Sequence, residues 1–310
     1  MQAFFLHIFH FGSKAIFMCR KLHEPHRHSI FAGEYHMFTL KTNIMSTSII
    51  DSQQISTAGA DLTTYTTRWF LPAGDTDAQG LMSVTQIVAR TIESATLHAN
   101  ALGIGYSNLN VHHLGWVLAR LAVEVVRYPA INETYSMTTW IEGFNRYFSD
   151  RCFEMNDSDG NIIARIRTVW VAIDITKRAM ADISYLERDG FPTLPDRCPL
   201  AKCRQPMIAR GAERTATDYT FTYCDIDFNR HVNTVRYIMA VLNQWPLSFY
   251  DNNEIKRLEV SFDQECLFGE TVSLQHGTSA RNPEAVTTEI INAAGKRAVG
   301  VELLFAPRKK

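Results

Sequence analysis

The 310-residue sequence predicts an α+β protein made of one unit twice, each unit a long helix wrapped by an antiparallel sheet. Three observations predict it. Ala73-Gly74-Asp75-Thr76-Asp77-Ala78-Gln79-Gly80-Leu81 aligns with Tyr223-Cys224-Asp225-Ile226-Asp227-Phe228-Asn229-Arg230-His231, and both read Asp-x-Asp with an amide residue two places on. Arg120-Leu121-Ala122-Val123-Glu124-Val125 aligns with Arg257-Leu258-Glu259-Val260-Ser261-Phe262, and Glu133-Thr134 keeps the same offset to Glu270-Thr271. Asp159-Gly160-Asn161 aligns with Ala294-Gly295-Lys296, a turn between two strands in each copy. The offset shrinks in that order, as it must if the first copy carries longer loops.

Taken in order, residues 1–57 read as an N-terminal tail. The apolar run MQAFFLHIFHFGSKAIFMC is interrupted by His7, His10 and Lys14, follows no basic residue and leads to no small-residue cleavage site, so a targeting role is not expected. His23, His26 and His28 read as a solvated stretch rather than a metal site, and Met37 and Met45 are alternative starts. The first unit, 58–185, opens on the β-prone run TYTTRWFL and has helical spacing from Leu81 to Leu102, then strand-like runs. Residues 186–212, with Pro192, Pro195, Pro199 and Pro206, read as a linker. The second unit, 213–307, repeats the plan with DYTFTY and a helix over Val232–Trp245. A long helix ahead of an antiparallel sheet must bury its apolar stripe on one sheet face, which is the hotdog arrangement, here a tandem or double hotdog.

Composition narrows the function classes. A hydrophobic fraction of 46% and a charged fraction of 20% suit a cored globular chain, and a net charge of -1 gives no field for nucleic acid. No apolar run approaches the roughly 20 residues of a membrane span, so no membrane insertion is expected. The six cysteines are too scattered for a disulfide framework, and Cys198 with Cys203 lacks the second pair a zinc site needs. Reduced thiols, a cytoplasmic location, and no metal or cofactor are the expectation.

Chemistry is expected where the copies differ. Asn229 and His231 replace Gln79 and Leu81, and Glu265 and Cys266 replace Tyr128 and Pro129. Such a set suits hydrolysis, which needs an activated water, a group to orient it and donors for the oxyanion. Glu265 is the candidate base, if burial raises its pKa, with Asn229 orienting, His231 donating and Asp227 holding them. Free N–H groups at the helix start are further candidate donors. Plainer roles compete for each residue. Asp225 and Asp227 recur as Asp75 and Asp77 and suit helix capping, His231 and Glu265 suit a surface, and Cys266 suits a small buried position.

Asp227-Phe228-Asn229-Arg230-His231-Val232-Asn233, followed by Tyr237 and by Glu265-Cys266, resembles the acyl-acyl carrier protein thioesterases of plants and bacteria. In the first half Trp116-Val117-Leu118, Arg120-Leu121, Arg127-Tyr128-Pro129 and Thr139-Trp140 extend the resemblance, which covers roughly residues 60–306. It implies release of a free fatty acid from acyl carrier protein and termination of chain elongation. It places the catalytic Asp, Asn, His and Glu on Asp227, Asn229, His231 and Glu265, with Cys266 as a nucleophile in an alternative covalent route. It also implies that the first unit shapes the acyl pocket, lined from HANALGIGYSNLNVHHLGW. Thr234 departs from the Asn common in relatives, and residues 1–45 lack a Ser-rich transit peptide. An acyl-CoA thioesterase and a non-catalytic acyl-binding module are the alternatives, and monomer and homodimer both fit a tandem hotdog.

Overall fold

The computed structural model describes residues 62–308, together with the backbone of 5–11 and 14–20. Those two short stretches, β1 (Phe5–Phe11) and β2 (Lys14–Arg20), pair as an antiparallel hairpin in a unit of their own, within the segment read as a tail. His23, His26, His28, Met37 and Met45 lie outside the described residues.

The larger unit begins with β3 (Thr64–Phe70) and α1 (Val84–Ala101), followed by a short α2 (Tyr106–Asn110). Four strands then run in succession: β4 (Leu114–Val125), β5 (Thr134–Phe144), β6 (Phe148–Asp157) and β7 (Ile162–Asp174). After the two-residue β8 (Ala179–Met180) and α3 (Ser184–Arg188), the plan repeats with β9 (Thr215–Thr220), α4 (Thr234–Leu242) and α5 (Leu247–Asn252). The second set of four strands is β10 (Asn253–Phe262), β11 (Thr271–Thr278), β12 (Ala285–Ile291) and β13 (Arg297–Pro307). The result is the tandem hotdog that the repeat predicts.

All these strands join one antiparallel sheet in the order β3-β5-β6-β7-β4-β10-β13-β12-β11-β9, with β8 on β7. At its centre β4 pairs with β10, and Ala122 faces Glu259. These two residues are equivalents in the aligned copies, so a local two-fold axis passes between them and the two half-sheets become one. The Asp159-Gly160-Asn161 and Ala294-Gly295-Lys296 segments are both tight turns, with Gly160 and Gly295 at φ +85° and +72°. Only glycine adopts that left-handed backbone without strain.

Both helices begin later than apolar spacing alone predicts, at Val84 and Thr234. The residues just before them fold back on themselves, and Ser83 and Asn233 supply the caps, accepting from the backbone N–H of Gln86 and Val235. On α1, Val84, Ile87, Val88, Thr91, Ala95 and His98 are buried, the spacing of one helical face against the sheet. The second helix also ends early, at Leu242. Pro246 follows shortly after, and the residue before a proline is steered out of helical backbone. Tyr237, Ile238 and Val241 bury its inner face. Trp140, Tyr135, Phe153 and Phe221 are among the largest side chains wholly enclosed, each contributing on the order of 2–3 kcal/mol of hydrophobic stabilisation.

Candidate active site

Ahead of each helix lies the same loop, and its geometry follows from one aspartate. Asp227 Oδ1 accepts from the N–H of Asn229 (2.8 Å) and of His231 (3.3 Å), and Asp77 Oδ1 accepts in the same way from Gln79 and Leu81. The loop closes with Arg230 N–H donating to Asp227 O and Asp227 N–H donating to His231 O. This turn needs a left-handed residue, Gly80 at φ +70° in the first copy and Arg230 at φ +68° in the second. A non-glycine residue there carries strain on the order of 1–2 kcal/mol. Asp227 therefore positions Asn229 and His231 through their backbone. Asp225 does separate work, accepting from the N–H and hydroxyl of Thr222 in the preceding turn.

A short bridge brings this loop against the segment after β10. His231 bridges to Leu267, and Val232 N–H donates to Cys266 O. In the first copy Leu81 bridges to Ala130 and Met82 N–H donates to Pro129 O, so Tyr128-Pro129 and Glu265-Cys266 occupy matching places. Glu265 thereby lies beside His231, with Nε2 to Oε2 at 3.4 Å. Its other oxygen takes an ion pair from Arg178. Arg178 closes the β7–β8 turn in left-handed backbone, φ 50°, and reaches from the first unit into the second. Sequence reading missed it, because nothing local marks a turn arginine as a neighbour of a residue in the other copy.

Two sequence expectations are changed by this geometry. The N–H groups of residues 229 to 233 are all committed, to Asp227, Cys266 or Asp225, so the helix start offers none of these five to an oxyanion. The aspartate turn and the bridge use them. Glu265, which sequence reasoning wanted buried, has a side chain 41% exposed and is held by its ion pair with Arg178 and its contact with His231 instead. Asn229 is exposed. Cys266 is fully enclosed, its backbone N–H donating to Tyr237 Oη at 2.7 Å, and burial pushes its thiol up to about 11.

Beside this cluster a cavity of about 440 Å³ opens, lined by Ile92, Ala95, Thr96 and Ala99 of α1, by Ile104 to Tyr106, and by residues of β4, β6 and β7. Phe228 and Asn229 border it from the second unit, and Phe228 meets Tyr106 edge to face at 5.8 Å. The 98–116 stretch thus supplies Ala99, Ile104, Gly105, Tyr106, Gly115 and Trp116 to its wall. Trp116 is fixed by its indole N–H donating to Ile104 O at 2.9 Å. A side chain on Gly105 would collide with Asn100, so the chain passes there only as glycine. Among the described residues no group of three His, Cys, Asp or Glu could hold a metal ion, and no helix is long and apolar enough to cross a membrane.

Comparison with known proteins agrees with this architecture. The acyl-ACP thioesterase N-terminal domain family matches residues 62–185, and the acyl-ACP thioesterase C-terminal domain family matches 208–307. A curated oleoyl-acyl carrier protein thioesterase of Arabidopsis thaliana is 26% identical over 193 residues, 59% of this chain and 52% of that one. A palmitoyl-acyl carrier protein thioesterase of Gossypium hirsutum is 28% identical over 196 residues, covering 59% and 48%. The chain spans about half the length of these two curated relatives. Among solved structures, an acyl-ACP thioesterase from Bacteroides thetaiotaomicron superposes with a TM-score of 0.71 and 27% identity, covering 79% of this chain and 98% of that one. The 12:0-ACP thioesterase from Umbellularia californica, at 19% identity and a TM-score of 0.69 over 80% and 99% of the two chains, shares the fold. Two family models in order along the chain, on a tandem hotdog, leave one conclusion: the chain belongs to the acyl-ACP thioesterase family.

Proposed function

We propose that the protein hydrolyses the thioester of a fatty acyl chain carried on the phosphopantetheine arm of acyl carrier protein, releasing a free fatty acid and ending chain elongation. One observation carries the reading: His231, paired with Glu265 in one copy only, lies on the loop whose Phe228 and Asn229 border an apolar cavity. Names of curated relatives and of the Bacteroides structure support the carrier-bound substrate.

The chemistry follows from the side chains. Glu265 takes a proton from water as its oxygen attacks the thioester carbon. Asn229 and His231, whose backbone N–H groups are occupied, act through their side chains, orienting the water and donating to the oxyanion. When the C–S bond breaks, the proton on Glu265 passes to the departing sulfur. Direct attack by water is preferred over a Cys266 acyl-enzyme, because an enclosed thiol with a raised pKa is a poor nucleophile.

The test is release of fatty acid from acyl-carrier-protein conjugates of several chain lengths, beside the matching acyl-CoA esters. Glu265→Gln and His231→Ala are expected to lower turnover by about 10²- to 10⁴-fold in folded protein. Turnover of the CoA esters alone would move the assignment to an acyl-CoA thioesterase. Turnover of nothing by folded wild-type protein would leave acyl binding without hydrolysis.

A further inference from the structure

Most of the cavity wall is apolar, but β6 puts Ser149 and Arg151 on it. Arg151 is only 4% exposed, and among the described residues no carboxylate pairs with it. Its Nη1 donates to His98 Nδ1 at 2.7 Å and makes a long contact to Thr139 Oγ1 at 3.4 Å. A guanidinium only donates, so Nδ1 must be the accepting nitrogen of His98, and Nε2–H donates to Leu62 O at 2.8 Å. His98 is therefore neutral; burial and the adjacent guanidinium charge hold its pKa down at about 4. It orients Arg151 without offsetting the charge.

A buried cation with no counter-charge is a poor structural brace, since an apolar side chain of similar length would be tolerated at least as well there. At the wall of a cavity, it is complementary to an acceptor brought in by a ligand. Ser149 lies two residues away on the same strand, and a strand points residues i and i+2 to one face, so its hydroxyl borders the same space.

We infer that Arg151 and Ser149 form a polar subsite in the acyl pocket, which accepts an oxygen-bearing group on the chain beyond the thioester: a hydroxyl, an oxo group or a carboxylate. Functionalised acyl chains are then favoured over plain ones of equal length. This rests on the thioesterase reading for what occupies the cavity, and its test is independent of turnover.

Trp116 and Trp170 line the cavity and report occupancy by fluorescence. The full-length protein is titrated with methyl esters of plain, hydroxy and oxo fatty acids and with monomethyl esters of dicarboxylic acids, all of one chain length, so that no probe carries a charged head at the esterified end. The same set is then offered as acyl-carrier-protein conjugates. Wild type is expected to bind at least one oxygenated probe about tenfold more tightly than the plain ester. Arg151→Met is expected to bring the ratio of oxygenated to plain binding close to one, and Arg151→Lys to keep part of the preference. Equal binding of every probe by wild type, or an equal loss for all probes in folded Arg151→Met, overturns the subsite. Should Arg151→Met fail to fold, the wild-type series with Ser149→Ala decides on the same criterion. Preference in binding with no hydrolysis of any conjugate sinks the thioesterase reading and leaves the subsite standing.

Discussion

Acidification is expected to destabilise the fold in part through His98, and the size of that part can be worked from its surroundings. His98 is wholly enclosed, stacks on Tyr65 at 5.6 Å between ring centres, and has both ring nitrogens engaged. Protonating Nδ1 would aim a second N–H at the Arg151 guanidinium inside the protein. Burial first, and that cation second, lower its pKa from 6.5 to about 4. The unfolded chain therefore takes up this proton as pH falls through 6.5, while the folded chain does not until about 4. The contribution to stability is complete above pH 6.5 and drains away across that window. With 1.36 kcal/mol per unit, the full loss is about 3 kcal/mol, of which about 2 kcal/mol is gone by pH 5. Urea unfolding of wild type and His98→Gln at pH 7.5, 6 and 5 isolates it, because carboxylates common to both proteins cancel in the difference. The stability gap between the two proteins is expected to shift against wild type by about 2 kcal/mol from pH 7.5 to pH 5. A gap constant within about 0.5 kcal/mol would refute the buried neutral histidine.

Three further outcomes follow from other parts of the molecule. Cys266→Ala is expected to keep turnover within about tenfold, since a buried thiol with a raised pKa is no nucleophile; complete loss, with an acyl adduct trapped on the wild-type thiol, would reinstate the covalent route. Arg230→Gly relieves a left-handed residue and is expected to raise the midpoint of thermal unfolding by about 1–2 °C after glycine's entropy cost, whereas a fall would show that the Arg230 side chain matters more than its backbone. Phe153→Ala empties a fully enclosed site on β6 and is expected to cost about 3–5 kcal/mol in urea unfolding, a value under 1 kcal/mol being incompatible with the packing described.

The fold was legible because its repeat leaves marks that survive divergence. Asp77 and Asp227 each fold one loop, and Gly160 and Gly295 each close one hairpin. Each is required by backbone geometry, so each is visible as an alignment of residue types. The neighbourhood of His231 and Glu265 was legible for the converse reason, as a pair with no counterpart where the matching bridge sets Leu81 against Ala130 and Tyr128 takes the place of Glu265. Arg178 and Arg151 were not legible. One reaches Glu265 from the other copy across a turn, and the other is polar on a strand position where alternation alone cannot tell cavity from solvent. Helix starts were misplaced by a few residues because Leu81 and Val232 continue an apolar rhythm although the aspartate turns hold them outside the helix.

The β4–β10 seam also bears on how the chain must be made. Until β10 is synthesised, a nascent first half presents the outer edge of β4 with its backbone groups open, a template for any strand that arrives. The correct partner lies more than a hundred residues downstream, past the proline-containing connector, and a second nascent chain offers the same strand. Tethering favours the cis partner only while the connector keeps β10 at high effective concentration. Lengthening it is therefore a route to exchanged halves, in which two chains each complete the other's sheet and two complete sites form on an intertwined pair.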